Sequence, residues 1–226
     1  MNLPTVYRSG RRPALAAPLT GDLPTDTAIA HVLRQVNLLY ADVGIYLTPT
    51  DSIEAAVNTV VAGETIVLLP GEYYLNSSIT IGKRCTLIGI GRVRIRLNDA
   101  FVNVTGTDVW FKGIEFVRDV RNAAEGALHF ASTALRSRVD ECLFDTPSAY
   151  GVYVGSAYTA ICDCKFLNNV AHTLGDADIY YADGVLNGIV AGNSWSTTRT
   201  YVLSYQIATN MSEAANGVAG QLQVRP

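Results

Sequence analysis

Two carboxylates, Glu141 and Asp163, occupy equivalent places in consecutive segments of the chain. The segments RVDECLF and AICDCKF each end in phenylalanine, and the acidic residue stands three positions before it in both. If the segments are stacked neighbours, the carboxylates lie about 5 Å apart, as do the acid and nucleophile of retaining glycosidases. Gly113 and Gly192 hold the same position in the flanking segments and indicate a tight bend. We therefore interpret both carboxylates as side chains that cap backbone amides or meet water at a bend, not as catalytic groups. No catalytic residue is assigned.

Three further acids, Asp176, Asp178 and Asp183, lie close together in the sequence, and the first two give the D-x-D opening of a calcium-binding loop. The rest of that pattern fails. Tyr181 stands where the tight-turn glycine belongs, and Asn187 stands where the bidentate glutamate belongs. A solvated acidic turn is the better interpretation.

Other residues that commonly bind metals or cofactors are few. The histidines fall at unrelated positions of the repeat described below, and the cysteines show neither paired C-x-x-C spacing nor a dense disulfide framework: His31, His129, His172, Cys85, Cys142, Cys162 and Cys164. Reduced, buried thiols are expected. The sequence therefore predicts no metal site and no cofactor.

A loose internal repeat must position any of these side chains. Four segments align on a terminal aromatic residue, spaced 28, 22 and 29 residues apart: Phe116, Phe144, Phe166 and Trp195. An apolar strand precedes each segment, namely FVNV at 101–104, ALHF at 127–130, GVYV at 151–154 and DIYY at 178–181, and YVLSY at 201–205 begins a further turn. Repetition of this length predicts a solenoid in which each repeat forms one turn.

Stacking of the turns predicts which side chains line the interior, because equivalent positions of successive turns lie about 4.8 Å apart. The aromatic column is predicted to be core and not a sugar-stacking platform. Two more inward columns are expected, five and two positions before the aromatic: Phe111, Val139, Ile161, Val190, and Ile114, Cys142, Cys164, Asn193. Cys142 and Cys164 should be core neighbours, with a disulfide only if their geometry allows it. Asn193 is expected to hydrogen-bond at a bend of the wall.

Residues 51–91 contain the opening of the solenoid. A short helix is followed by an apolar strand at 65–69, by Pro70-Gly71-Glu72-Tyr73, and by a Leu-x-Gly-x-Gly turn at 87–91. This order resembles the N-terminal turn of the pectate-lyase-like right-handed parallel β-helix superfamily. The resemblance implies an all-β, right-handed parallel β-helix but not the chemistry of its enzymes. The aromatic-x-Asp-His, Arg-x-Pro-x-x-Arg, Asp-Asp and Gly-His-Gly signatures of pectate lyases and polygalacturonases do not occur in this sequence.

The N-terminal end of a solenoid needs a cover, because open strand edges pair with other chains. Residues 52–61 are predicted to form an amphipathic cap helix with Ile53, Ala56, Val57 and either Val60 or Val61 on one side. A second helix is predicted to start at Asp26 or Thr27, with apolar residues at helical spacing: Ile29, Val32, Leu33, Val36 and Leu39. Since one helix closes the end, the second apolar face is expected to pack against a neighbouring subunit or, more simply, against its own solenoid.

These elements divide the chain into an extended N-terminal arm at 1–25, an amphipathic helix and linker at 26–50, the β-helix with its cap at 51–209, and a tail at 210–226. The tail either covers the last turn or hangs free. The arm carries Tyr7, Arg8, Arg11 and Arg12 ahead of the first acidic residue, Asp22. These four residues are predicted to bind an acidic partner surface, with an ordinary solvated tail as the alternative.

A second basic stripe alternates along one strand, at Arg92, Arg94 and Arg96, so the three side chains share a face while Val93 and Ile95 point inward. Such a stripe can bind an anionic partner or pair with nearby acids. The preferred interpretation is a soluble outer face that discourages edge pairing.

Composition limits the function classes further. Hydrophobic residues make up 49% of the chain and charged residues 16%, which suits a wall of stacked strands. The net charge of −3 implies no general attraction to nucleic acid. No stretch approaches the roughly 20 apolar residues of a membrane span, and the N-terminus lacks the apolar core of a signal peptide. Neither membrane insertion nor secretion is therefore expected.

Short β-helices with an N-terminal arm and no active-site signature resemble virion proteins of tailed bacteriophages, either capsid decoration proteins or tailspike subunits. The resemblance implies a non-enzymatic homotrimer that the helix at 27–40 helps to close around a threefold axis. It also implies a protein made in the host cytoplasm and located in the virion, with capsid or tail proteins and a host surface polysaccharide as partners. The size of the chain favours decoration over an enzymatic tailspike, and the missing signal argues against an adhesin fragment. The competing interpretation is a carbohydrate-active enzyme or sugar-binding module with Glu141, Asp163, Tyr150, Tyr153 and Tyr158 in its groove.

Overall fold

The computed structural model describes residues 44–118, 126–146, 150–167, 177–182 and 185–195, and the backbone of strands at 203–206, 212–214 and 223–225. In this part of the chain there is one short α-helix, and the strand pairings are parallel. No helix within these ranges is both long and apolar enough to cross a membrane. The predicted arm at 1–25 and the predicted helix at 27–40 lie outside the described residues.

The strands stack into three walls. Wall A contains β1 Gly44–Leu47, β2 Thr65–Leu68, β5 Thr86–Gly89, β8 Trp110–Lys112, β11 Arg138–Asp140, β14 Ala160–Cys162, β17 Ile189–Ala191 and β20 Ser212–Ala214. Wall B contains β3 Gly71–Leu75, β6 Val93–Leu97, β9 Glu115–Val117, β12 Leu143–Asp145, β15 Lys165–Leu167 and β18 Ser194–Trp195. Wall C contains β4 Ile79–Ile81, β7 Val102–Val104, β10 Leu128–Phe130, β13 Tyr150–Val154, β16 Ala177–Tyr181, β19 Leu203–Gln206 and β21 Gln223–Arg225.

From β2 to β19 the chain passes through walls A, B and C in that order before it returns to wall A. A strand therefore pairs with the strand one turn earlier, which makes every ladder parallel and brings side chains of the same turn position into line. This is the predicted right-handed parallel β-helix, in agreement with the handedness that parallel crossovers almost always take.

The predicted inward columns are confirmed by the registers. Phe144 pairs with Phe116 on one side and with Phe166 on the other, and Phe166 pairs with Trp195. The three phenylalanines are fully buried, and their rings stack with centroids 5.2 and 5.0 Å apart. The column of Phe111, Val139, Ile161 and Val190 is buried in the same way.

The column containing Cys142 and Cys164 also lies inside, and both residues are free, buried cysteines. Asn193, next in this column, makes the hydrogen bonds expected at a bend. Its Oδ1 accepts from the backbone N–H of Cys164 at 2.9 Å, and its Nδ2 donates to the carbonyl of Ile161 at 2.9 Å. A buried amide with both ends satisfied costs little and fixes the bend.

The Pro-Gly-x-Tyr motif has a physical basis. Gly71 has a φ of 143°, and a Cβ there would lie 2.3 Å from Cγ of Pro49, so only glycine fits. Tyr73 is buried, and its hydroxyl lies 2.7 Å from the carbonyl oxygen of Leu47 and 2.9 Å from that of Leu69. The tyrosine therefore ties β1 to the end of β2 from inside the solenoid.

Helix α1, Ile53–Thr59, closes the N-terminal end as predicted. The Ser52 hydroxyl accepts a hydrogen bond from the N–H of Ala55 at 3.1 Å and so caps the helix start. At the other end, Lys83 Nζ donates to the carbonyls of Asn58 and Val60 at 2.9 Å each. Val60 is buried, whereas Val61 is 52% exposed, which settles the alternative left open by the sequence.

Some details differ from the expectations. Residues 44–47, assigned to a linker, form β1, the first strand of wall A, and the predicted tail contains β20 and β21, which pair with β17 and β19. Asp178 is fully buried within β16, so a solvated turn is wrong for this residue. Asp176 and Asp183 lie outside the described residues. Cys162 is half-buried and not fully buried as expected, because it faces outward from wall A.

Candidate functional site

The outer face of wall C carries a row of aromatic side chains. In β7, β10, β13 and β16 the residues before and after the penultimate position point into the core, so the penultimate residue of each strand points outward. These penultimate residues pair in register from turn to turn: Asn103, His129, Tyr153 and Tyr180. Successive members of such a column are about 4.8 Å apart along the solenoid axis.

The rings of this row touch one another. His129 and Tyr153 meet edge to face with centroids 4.5 Å apart, and Tyr153 stacks on Tyr180 at 5.4 Å. Phe101 contacts His129 at 6.1 Å, and Tyr150 lies beside both Tyr153 and Tyr180, at 5.7 and 4.9 Å. We call these five residues, Phe101, His129, Tyr150, Tyr153 and Tyr180, the aromatic row.

Each ring of the aromatic row is half-buried, so one side of the row faces solvent. Thr80 and Asn103 continue the same outward column toward the N-terminal end. The side chains of this column are therefore polar or aromatic, and none of them is a carboxylate, a lysine or an arginine. Extended, partly exposed aromatic surfaces of this kind mark binding sites more often than isolated exposed rings do. Tyr158, which the sequence grouped with Tyr150 and Tyr153, lies instead on the turn leading to wall A, with φ 60° and 55% exposure.

The carboxylate pair predicted from the repeat lies elsewhere, at the bend between walls A and B. Glu141 and Asp163 are exposed and have φ values of 52° and 53°, and Gly113 and Gly192 at the same bend have 66° and 67°. All four therefore adopt the left-handed conformation that turns the chain from one wall to the next. Glu141 Oε1 pairs with Lys112 Nζ at 3.2 Å.

The carboxylate of Asp163 lies over Gly192 of the next turn, where a Cβ would come within 2.1 Å of Oδ1. A side chain at Gly192 would displace this carboxylate, and the φ of 67° favours glycine there in any case. The pair is thus accounted for by backbone geometry, and the structure does not bring it together with Tyr150 or Tyr153, which lie on wall C.

The arginine stripe of β6 faces outward on wall B and pairs with acids. Glu72 accepts hydrogen bonds from Arg94 and Arg96, and Glu115 accepts from Arg92 and Arg94, with N–O distances of 2.9 to 3.3 Å. The hydrogen bonds from Arg96, Tyr74 and Arg94 lower the pKa of Glu72 to about 2. The stripe is therefore engaged in an ion-pair ladder with nearby acids, which is one of the two roles that the sequence offered beside the preferred one, and β6 is no edge strand because it pairs with both β3 and β9.

Wall A has an outward cluster that the sequence did not reveal. Asp140 is only 4% exposed although it faces out, because Trp110 and Arg138 lie over it. Trp110 Nε1 donates to Asp140 Oδ2 at 2.8 Å, and Arg138 also donates to that oxygen. Lys112 Nζ and the Arg138 guanidinium each lie 5.8 Å from the indole centroid, so the cluster ties β8 and β11 of two successive turns together.

The described residues contain no group of three or more histidine, cysteine or acidic side chains placed to hold a metal ion. Burial raises the pKa of Cys142 to about 12 and raises the pKa of Cys164 as well, so neither thiol is a ready nucleophile. Of the three histidines, His129 lies within the described residues, and it belongs to the aromatic row. His31 and His172 lie outside the described residues, as do Tyr7, Arg8, Arg11 and Arg12 of the predicted arm.

Comparison with solved structures agrees with the architecture. The pectate lyase Pel9A aligns with 80% of this chain and 61% of its own, with a TM-score of 0.57 and 15% identity. The fold is the pectate-lyase-like parallel β-helix. A rhamnogalacturonan lyase aligns with 77% of this chain and 62% of its own, with a TM-score of 0.54 and 12% identity. At such identities the likeness shows the fold alone.

Other similarities are weaker or partial. The ORF18 protein of Geobacillus virus E2 aligns with 88% of this chain and 65% of its own at 13% identity, but its TM-score of 0.38 is too low to support an argument. Human SHC SH2 domain-binding protein 1 is 31% identical over 96 residues, which is 39% of this chain. This chain matches only 14% of the length of that human protein. No family model matches the chain.

Proposed function

We propose that this chain is a non-enzymatic virion protein of a tailed bacteriophage, a capsid decoration or fibre-like projection, whose β-helix binds a surface polysaccharide through the aromatic row. The observation that carries the proposal is the contact of five half-exposed rings across successive turns of one wall. Tyrosine rings present an apolar face together with a hydroxyl, which suits the C–H faces and hydroxyl groups of pyranose rings.

The repeat of the wall supports a polymeric ligand. A column of rings spaced about 4.8 Å apart offers similar contacts to successive units of an extended chain, and the flat β-helix holds the rings in place before binding. Because the described outward column bears no charged side chain, a neutral polysaccharide fits it better than a polyanion.

A binding role is preferred over catalysis because the acid pair is explained by the bend. Glu141 and Asp163 sit on an edge away from wall C, and both are exposed, one of them paired with Lys112. A polysaccharide held on wall C therefore meets neither of them.

Binding can be tested with the full chain and a panel of neutral and anionic bacterial surface polysaccharides, measured by glycan array and calorimetry. Tyr153→Ala and Tyr180→Ala should each weaken binding roughly tenfold or more, since stacking on one aromatic ring contributes about 1–3 kcal/mol where bases stack on protein rings. Tyr158→Ala is the matched control, because this tyrosine is exposed but off the row, and it should bind like the wild type. Equal losses in all three variants would rule out the row.

The catalytic alternative and the virion role need their own tests. Release of reducing ends from any bound polysaccharide, abolished in a Glu141→Gln, Asp163→Asn variant, would overturn the non-enzymatic assignment. For the virion role, deletion of residues 1–20 should leave a folded β-helix that no longer joins phage particles. Retained incorporation would refute anchoring through Tyr7, Arg8, Arg11 and Arg12. The homotrimer is part of the same proposal, and light scattering of the purified chain measures it.

A further inference from the structure

The outer face of wall B carries a groove beside the arginine stripe of β6. The groove has a volume of about 290 Å³ and crosses β6, β9, β12 and β15. Arg92 and Arg94 line its β6 end, and Val117, Leu143 and Leu167 form an aliphatic floor beyond them. Ligand pockets in proteins range from about 300 to 1,000 Å³, so this groove is of a size for one or two residues of a ligand.

The two arginines are held in place by acids, and Arg92 still has donors to spare. Arg92 Nε donates to both carboxylate oxygens of Glu115, at 3.1 and 3.3 Å. Arg94 donates to Glu115 through Nε at 3.2 Å and to Glu72 through Nη1 at 2.9 Å. In the part of the chain that the structure describes, neither Nη atom of Arg92 has an acceptor, and this side chain is 70% exposed. The two Nη groups of a guanidinium together match the two oxygens of a carboxylate.

These donors lie close to the aliphatic floor. Arg92 is bonded to Glu115 of β9, so its guanidinium lies beside the Glu115 side chain. Leu143 of β12 pairs in register with Glu115, and neighbouring strands are about 4.8 Å apart. Leu143 is half-buried and points outward, because Phe144 after it points into the core. A carboxylate on Arg92 and an aliphatic group on Leu143 are therefore close enough to belong to a single residue of a ligand.

The acid at the far side of the groove decides which kind of anion fits. Asp145 of β12 lines the groove two strands from β6, which is about 10 Å. A polyanion laid along the groove would bring its later carboxylates against Asp145, which like-charge repulsion disfavours. A ligand with one carboxylate at the β6 end avoids this. The floor is aliphatic and not aromatic, so it suits an aliphatic side chain better than the face of a sugar ring.

We propose that this groove binds the C-terminal residue of a partner protein that ends in an aliphatic amino acid. The terminal carboxylate accepts from the two Nη groups of Arg92, and the side chain of the same residue packs on Leu143. At a chain end both groups are attached to one Cα, which matches the single strand spacing between the two parts of the site. An acidic residue within a chain has no aliphatic group beside its carboxylate. The groove is on wall B and the aromatic row is on wall C, so this proposal does not depend on polysaccharide binding.

The proposal can be tested by NMR titration of the isotope-labelled full chain with N-acetyl-Ala-Leu, which has a free carboxylate, and with its C-terminal amide. The free acid should bind in the millimolar range or tighter and shift the Nε–H signal of Arg92 and the methyl signals of Leu143. The amide should bind about tenfold more weakly, because a charge-assisted hydrogen bond is lost. Leu143→Ala should abolish the preference for N-acetyl-Ala-Leu over N-acetyl-Ala-Gly.

Two arginine variants test the carboxylate contact. Arg92→Gln should weaken binding of the free acid about tenfold and leave the fold intact, since an exposed ion pair contributes little to stability. Arg136→Gln is the matched control. Arg136 is 57% exposed and also pairs with an acid, Asp108, but it lies outside wall B, so its replacement should not change the affinity.

Other ligands of the same titration separate the possible sources of the carboxylate. N-acetylglutamate α-amide that binds as tightly as N-acetyl-Ala-Leu would overturn the proposal in favour of an acidic side chain within a chain. A digalacturonate that shifts the same signals at higher affinity would overturn it in favour of an acidic sugar. Equal affinities of the free acid and the amide, or of Arg92→Gln and Arg136→Gln, would show that Arg92 does not bind the carboxylate. Absence of any shift at Arg92 and Leu143 with N-acetyl-Ala-Leu would also refute the site.

Discussion

Phe144 lies at the centre of the stacked interior, and replacing it tests the solenoid core directly. Its side chain is fully buried between Phe116 and Phe166, with ring centroids 5.2 and 5.0 Å away. Phe144→Ala removes the ring from both stacks and leaves a cavity that two rigid walls cannot close. Substitutions of this kind cost about 3–5 kcal/mol. Since whole proteins are stable by only about 5–15 kcal/mol, the variant should lose about a fifth or more of its stability.

The loss appears as a lower Tm and a lower urea midpoint, both followed by circular dichroism. For a chain of this size 1 kcal/mol corresponds to about 2–4 °C, so Tm should fall by about 6 to 20 °C. Phe144→Leu keeps most of the volume and should cost about 1–2 kcal/mol. Tyr158→Ala, a change of an exposed aromatic, should stay within about 0.5 kcal/mol of the wild type.

Hydrogen exchange locates the damage. Because each turn of a solenoid contacts only its neighbours, protection should be lost first in the strands that contain Phe116, Phe144 and Phe166, and later at α1. A Phe144→Ala variant as stable as Tyr158→Ala would refute the reasoning, since the ring would then not lie in a continuous core.

Three other outcomes follow from local geometry. Gly192→Ala should lower the free energy of unfolding in urea by about 1–2 kcal/mol, because φ is 67° there. If Gly192→Ala costs as much in an Asp163→Ala background as in the wild type, the overlying carboxylate contributes nothing to that loss. The pKa of Glu72 is lowered to about 2 by its arginine and tyrosine partners. The contribution of Glu72 to folding stability is therefore complete above about pH 4.5 and is lost between there and pH 2. Wild type and Glu72→Gln whose unfolding free energies depend on pH in the same way would contradict this. Native alkylation at pH 8 followed by mass spectrometry should label the half-buried Cys162 well before Cys142, whose pKa burial raises to about 12, and the reverse order would contradict the assigned walls.

The interior could be predicted from sequence because stacking turns impose a strict register. Once the segments were aligned on their terminal aromatics, the partners of Phe144 and the inward position of Cys164 followed from strand alternation. The bend was predictable in the same way, since glycine and acidic residues share its position. Only the left-handed φ of Glu141 and Asp163 shows that these acids serve the turn.

The outward side chains were harder to predict. A signal for the aromatic row was present, since the third residue of each strand before the aromatic segments is Asn103, His129, Tyr153 or Tyr180. The contacts among the rings depend on side-chain directions that spacing does not give. The burial of the outward-facing Val67 was missed for a related reason, because Ile66, Val67 and Leu68 form one apolar run and spacing cannot tell which of them points inward.

The most direct measurement compares polysaccharide binding by the wild type, Tyr153→Ala, Tyr180→Ala and Tyr158→Ala, all confirmed as folded by circular dichroism. The proposed function predicts that one neutral polysaccharide binds the wild type and Tyr158→Ala equally and binds the two row variants at least tenfold more weakly. A wild type that binds no surface polysaccharide, or a ligand whose affinity is the same in all four proteins, would contradict it.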